Sequence, residues 1–261
     1  MNNIITCSVI NNEISYIKDV IDHHLPWVDG MYILDTGSTD GTLEYLQNLS
    51  ENNPKLIVEK YFESFIPQYE LNWDVMQKPF PEVIVRNYAL RQAEKAFNPI
   101  WTIGLDGDEV WLPETKDLLN NNISASCVGC STINPVELLE KHPIEKRGGF
   151  TLYDPHVRIV KSDLKAKYII NPHLKGKQIH CIPAADGFDN HLFHHPNVKF
   201  TDKILHFHLH WMYGSKIELP FKLKGFTNRS EMVAEQTTNI YSKFLPTKFW
   251  NARQDWLSNI T

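Results

Sequence analysis

Short apolar runs alternate with segments of helical period over the first half of the chain, and that alternation limits the possible folds more than any other feature. The runs at 4–10, 30–35, 55–60, 99–105 and 124–132 have the length of strands and little polar interruption, the pattern of strands buried on both faces. Between them, 13–24, 42–50, 82–96 and 113–120 carry helical spacing, with Ile14, Ile17, Val20 and Ile21 marking the first. The expected fold is α/β: a mostly parallel mixed sheet flanked by helices, with ligands met at the carboxyl edge of the strands. A hydrophobic content of 42% supports one large core in a chain of 261 residues.

Carboxylates cluster where those strands should end. Trp101–Leu105 runs straight into Asp106-Gly107-Asp108-Glu109, three acidic groups in four residues that repel one another unless something cationic compensates them. Asp106 and Asp108 lie two apart and can share one target, and hard oxygen ligands favour Mg²⁺ or Mn²⁺. A solvated acidic turn is the plainer alternative. The second run, Gly30–Asp35, also ends in a carboxylate and leads into Thr36-Gly-Ser-Thr-Asp-Gly-Thr42. Gly37 and Gly41 permit tight turns, Ser38 or Thr39 can cap the following helix, and Asp35 can accept from a base or ribose. A calcium loop is excluded because its sixth and twelfth positions, counted from Asp35, are Asp40 and Leu46. A phosphate-binding Walker loop is excluded because no Gly-Lys-Ser/Thr follows. The first run leads into Asn11-Asn12-Glu13, and Arg86-Asn87 begins the helix before Trp101; an arginine there can reach a diphosphate bidentately.

In this order, strand-Asn-Asn-Glu13, strand-Asp35-Thr-Gly-Ser-Thr-Asp-Gly-Thr, Arg86-Asn-Tyr-Ala-Leu and Asp106-Gly-Asp-Glu resemble the motifs of family 2 glycosyltransferases with the GT-A fold, in the branch with an Asp-x-Asp-Glu signature. The resemblance is close over about the first 160 residues and looser beyond. It implies a metal-dependent enzyme moving a sugar from a nucleotide-sugar donor, UDP-sugar favoured, to a hydroxyl of a glycan or lipid-linked acceptor in polysaccharide biosynthesis. Asn12, Glu13, Asp35, Ser38, Arg86 and Asp106 would bind the donor. Asp106 and Asp108 would hold Mn²⁺ or Mg²⁺, with His206 or His208 completing the shell. Inversion needs a base; relatives place one some 80 to 100 residues after Asp-x-Asp, where this chain offers Asp186 and Asp189. Some relatives instead carry His-Glu with the Glu as base; here His180 is followed by Cys181, so that Glu is missing. A sugar nucleotidyltransferase and a non-catalytic nucleotide-sugar-binding protein are the alternative readings.

On this basis 1–212 is a glycosyltransferase domain, with 1–110 the donor half and 111–212 the acceptor half, and 213–261 is a helical extension. Lys203–His210 alternates apolar residues with His206, His208 and His210, which places the three histidines on one strand face. His191, His194 and His195 belong to an acceptor-side loop. Cys127 and Cys130 have zinc-ligand spacing, with Cys181 as a third candidate, but a strand of small apolar residues explains the first two equally well. A formal charge of −5 gives no reason to expect nucleic acid as a partner. No stretch approaches a membrane span, and a strand entered at Ile4 leaves no room for a signal peptide, so a cytoplasmic protein is expected. Peripheral membrane contact through the Trp- and Lys-containing C-terminal region is a further expectation.

Overall fold

The structure is a computed structural model, and it describes residues 3–61, 82–122, 124–134, 144–170, 181–188, 190–209 and 246–249. Three parallel neighbours form the centre of the sheet. β1 (Ile4–Ile10) lies between β2 (Gly30–Asp35) and β4 (Trp101–Gly104), and β3 (Leu56–Lys60) extends the parallel run outside β2. The intervening helices are α1 (Ile14–His24), α2 (Thr42–Ser50) and α3 (Glu82–Phe97). The expected strands and helices of this half are all present, shifted at their ends by at most a few residues.

Beyond β4 the sheet becomes mixed. β5 (Glu109–Trp111) follows at once, then α4 (Glu114–Asn121) and β6 (Cys127–Ile133). The hairpin β7 (Ile144–Arg147) and β8 (Phe150–Tyr153) forms a small separate sheet, as does β10 (Ala166–Ile170) with β11 (Cys181–Ala185). β9 (Pro155–Lys161) inserts antiparallel between β4 and β6; β12 (Val198–Phe200) and β13 (His206–His208) both pair parallel with β6. The main sheet has nine strands in the order β3-β2-β1-β4-β9-β6-β13-β5, with β12 also on β6. This is a curled mixed α/β sheet flanked by helices, consistent with a Rossmann-like GT-A fold.

The sheet is buried on both faces, which is why its strands read as unbroken apolar runs. Ile4 and Ile10 of β1, with Met31 and Ile33 of β2, pack against Ile17, Val20 and Ile21 of α1. The alternate residues Ile5, Cys7, Tyr32 and Leu34 pack against Val85, Ala89 and Ala93 of α3. A third apolar group lies under the β10–β11 hairpin, around Leu90, Val157, Ala185 and Phe193. Cys127 belongs to that group and Cys130 to the α1 side, so the pair faces opposite sides of the sheet and cannot share a zinc ion. Among the described residues no helix is long and apolar enough to cross a membrane. The aromatic stretch at 62–80, Asp189, His210 and all of the expected extension except 246–249 lie outside the described residues.

Candidate functional site

Parallel register brings the first two loops together. Ile10 is level with Asp35 on β2, and Cys7 with Gly104 on β4, so the loops after β1, β2 and β4 leave the same edge. Asn12 sits in the left-handed region at φ 56°. Its N–H donates to Ser38 Oγ at 2.7 Å, and its Oδ1 accepts from the Thr39 N–H at 2.7 Å. One step on, the Glu13 N–H donates to Thr42 Oγ1 at 2.9 Å and the Ile14 N–H to Asp40 Oδ2 at 3.2 Å. The second loop therefore supplies acceptors for the exposed amides at the start of α1. Ser38 and Thr39 do not cap α2, contrary to the sequence expectation. Gly41, at φ 93°, turns the chain so that Asp40 Oδ1 takes the Thr42 N–H at 3.1 Å.

Asp35 is fully buried. Its Oδ1 accepts from the Gly37 and Ser38 amides at 2.9 and 3.0 Å, fixing the turn, while Oδ2 has no hydrogen-bond partner. An unsatisfied buried carboxylate oxygen is uncommon and costly. It is the polar group that an N–H from a ligand would satisfy.

The three carboxylates after β4 have separate fates. Asp106 is gripped from both sides: Arg86 Nη1 donates to Oδ1 at 2.9 Å and Arg158 Nη2 to Oδ2 at 3.2 Å. Arg158 also donates to Glu109 Oε1 at 3.0 Å, and Glu109 Oε2 accepts the Asp106 N–H at 2.9 Å. Glu109 opens β5 and is wholly buried. Burial alone would raise its carboxyl, but Arg158, together with the neighbouring His206 and His208, outweighs burial and holds it well below the ordinary range. Burial likewise opposes the charge on Arg158, and Glu109 with Asp106 restores it. Asp108 is half-buried, with Oδ2 3.3 Å from His208 Nε2. Burial disfavours a charged His208, but its bond to Asp108 and the surrounding carboxylates prevail and push it up to about 9. The compensation that the acidic cluster demands thus comes from two guanidiniums and an imidazole of the same chain.

His206 is set apart from this edge, despite its place on the same strand face as His208. It is fully buried and stacked on Trp111 with centroids 4.2 Å apart. Its Nδ1 lies 3.0 Å from Thr132 Oγ1, and its Nε2 lies 3.5 Å from Glu109 Oε2, a long contact. Burial keeps it neutral, the state that suits the Thr132 hydroxyl as donor to Nδ1 and Nε2–H facing the carboxylate. Glu13 reaches the cluster through contact: a Cβ added at Gly107 would sit 2.4 Å from Glu13 Cγ. Arg86 also pairs with Glu82 at 2.9 Å, and Asn87 exchanges two hydrogen bonds with the Tyr168 backbone, tying α3 to β10.

Of the two carboxylates expected as base, Asp186 is not brought to this edge. Asp186 lies exposed in the turn after β11, next to Ala185, which pairs with Ala166. Ala166 accepts from Arg91, which lies five residues beyond Arg86 on α3, or about 7 Å farther from the carboxylates. The other end of β11, at Cys181, is nearer the cluster, because β10 approaches Arg86 and Asn87 through Tyr168. Asp189 lies outside the described residues. Two participants escaped the sequence reading: Arg158, and Glu109 as an inward partner. A charged residue within the buried run of β9 was the available signal for the first.

Neither the family models nor the curated proteins include one that matches this chain. Among solved structures it is similar to a mannosyltransferase, PcManGT from Pyrobaculum calidifontis, in complex with GDP-Man and Mn²⁺, at 18% identity and a TM-score of 0.38, covering 62% of this chain and 45% of that one. It is also similar to S. aureus TarS 1-349, at 14% identity and a TM-score of 0.43, covering 78% of this chain and 60% of that one. S. aureus TarS matches at 14% and 0.44, over 78% of this chain and 36% of that one. The chain thus spans less than two thirds of the length of each. At these scores the likeness assigns neither donor nor acceptor.

Proposed function

We propose that this chain is a glycosyltransferase that takes a sugar from a nucleotide-sugar donor, UDP-sugar favoured, and passes it with inversion to a hydroxyl of a glycan or lipid-linked acceptor. The observation that carries the reading is the partition of the carboxylates at one sheet edge. Asp106 and Glu109 are neutralised internally by guanidinium groups, while Asp108 remains beside His208 next to the linked loops of Asn12 and Ser38. Such an edge combines hydrogen-bonding loops for a nucleoside with a carboxylate and imidazole pair that would hold a cation for a diphosphate.

The residues present fit a divalent cation in part. Both oxygens of Asp106 are engaged by arginines, and no group of three or more His, Cys, Asp or Glu among the described residues is arranged to hold a metal. The Asp108 carboxylate and the His208 imidazole are ligand types that Mn²⁺ accepts, and they stand side by side. We assign these two to the ion, rather than Asp106 or His206. Bound there, Mn²⁺ or Mg²⁺ would neutralise charge on the leaving diphosphate. Asp35 would accept from the base through its unpartnered oxygen, and Arg86 and Arg158 would hold Asp106 in place at the ribose and diphosphate.

The test is a thermal-shift series with UDP, GDP and their common sugars, with and without Mn²⁺, on wild type and Asp108→Ala. A ligand at a hundred times its Kd stabilises by about 2.7 kcal/mol, or several degrees in a domain of this size. A shift for one nucleotide class that needs Mn²⁺ and is lost in Asp108→Ala is expected. No shift with any nucleotide would remove the reading.

A further inference from the structure

Resting on that glycosyl-transfer reading, we propose that His156, beside Asp154, is the base that deprotonates the acceptor hydroxyl. The argument begins with strand register. β9 runs antiparallel to β4, pairing Trp101 with Lys161, Thr102 with Val160 and Ile103 with Ile159, so its first residues lie at the carboxyl edge of β4. His156 pairs with Cys130 of β6, and a register shift opposite Arg158, between Val128 and Gly129, breaks the alternation of β9 between the two residues. Arg158 contacts Asp106 and Glu109, and His156, nearer the start of β9, lies toward the same sheet edge.

Its surroundings separate it from the other histidines. His206, 6.3 Å away between ring centroids, is sealed inside with Thr132 and Glu109 at its nitrogens. His208 is engaged with Asp108. His191 accepts from the Phe193 N–H through Nδ1. Burial and the nearby charges of His156, His194 and Arg158 push His191 down to about 4, which keeps it neutral beside His156. His156 has a side chain 34% exposed, enough for an acceptor to reach, and its Nε2 lies 3.7 Å from Asp154 Oδ1. Asp154 has φ 43°, a conformation that non-glycine residues seldom adopt. Its backbone is anchored, since its carbonyl accepts from the Thr132 N–H at 3.3 Å. We assign the proton of the neutral ring to Nε2, the nitrogen on the Asp154 side, so that Nδ1 takes the proton from the acceptor.

The step balances without another reactant. As the acceptor oxygen bonds to the anomeric carbon, its proton passes to His156 Nδ1. The bond from that carbon to the diphosphate oxygen breaks, and its electron pair leaves with the nucleoside diphosphate. The imidazolium then gives its proton to solvent. Asp154 stabilises the imidazolium and fixes the ring, a positioning role.

The experiment uses the full chain and a panel of UDP- and GDP-sugars with Mn²⁺, scoring transfer to water and to simple glycoside acceptors, beside the nucleotide-induced thermal shift. In His156→Gln, kcat should fall by about 10²-fold or more while the shift with UDP or GDP is kept, which also shows the variant to be folded. Asp154→Asn should lower kcat by about tenfold with the donor KM unchanged. Turnover of His156→Gln within threefold of wild type would overturn the base assignment and leave the transferase reading intact. A wild type that binds no nucleotide and turns over none of the panel would overturn both. If His156→Gln loses the nucleotide shift together with its thermal transition, His156→Asn is measured on the same two axes and decides.

Discussion

Acidification should cost this chain stability through one histidine at the rear of the site. His24, near the end of α1, is fully buried. Its Nδ1 lies 2.7 Å from the Val20 carbonyl, and its Nε2 accepts from the Trp111 N–H at 3.0 Å. Only the neutral ring with the proton on Nδ1 satisfies both. A proton on Nε2 would set N–H against N–H at the outer edge of β5, which pairs with no further strand among the described residues. Burial is the main reason that His24 is pushed from 6.5 down to about 3, with the neighbouring His23 adding to it. Between those values the unfolded chain binds more protons than the folded one, so stability falls as pH falls through 6.5.

At about pH 5 the unfolded imidazole is almost all charged and the folded one almost all neutral. The gap of about 1.5 units below 6.5, at about 1.4 kcal/mol each, gives a loss of about 2 kcal/mol relative to pH 7.5. His24→Gln keeps an oxygen able to accept from Trp111 and does not titrate. Urea unfolding of both proteins at about pH 7.5 and pH 5 isolates the effect, because the other eleven histidines are common to both. Wild type should lose about 2 kcal/mol more than His24→Gln on acidification. Equal losses in the two proteins would refute the reasoning, whatever the absolute stabilities.

Three further outcomes follow from the same geometry. Arg158→Met leaves Glu109 charged, buried and without its guanidinium, and should cost about 3–5 kcal/mol in urea unfolding; adding Glu109→Gln should recover a large part. Gly107→Ala places a Cβ 2.4 Å from Glu13 Cγ and should cost about 1–3 kcal/mol, most of which disappears in a Glu13→Ala background. Burial pushes the Cys7 and Cys127 thiols up to about 12 and Cys130 upward as well, so these three of the four cysteines should react with a disulfide reagent only at the rate of unfolding.

What the sequence disclosed, it disclosed through local signals. The strands from Ile4 to Trp101 and the helices between them have period, length and turn residues within a few positions of each other, and parallel order then places Asp35 and Asp106 at one edge. Arg158 lies 52 residues from Asp106, and nothing local links them until β9 inserts beside β4. β5 is too short to announce itself by alternation, yet it turns Glu109 inward and divides what looked like one acidic cluster into a buried Glu109–Arg158 ion pair and an Asp108–His208 pair.

That division bears on the chemistry. Had all three carboxylates faced solvent together, their mutual repulsion would have demanded a metal for the loop to hold its shape. With Arg86 on Asp106 and Arg158 bridging Asp106 and Glu109, the loop is held by the chain itself. Removal of divalent ions by a chelator should then leave the melting temperature of the ligand-free protein within about 1 °C, while abolishing the Mn²⁺-dependent part of the nucleotide shift. A drop of several degrees in the ligand-free protein would mean that the ion, and not the two arginines, holds the edge together.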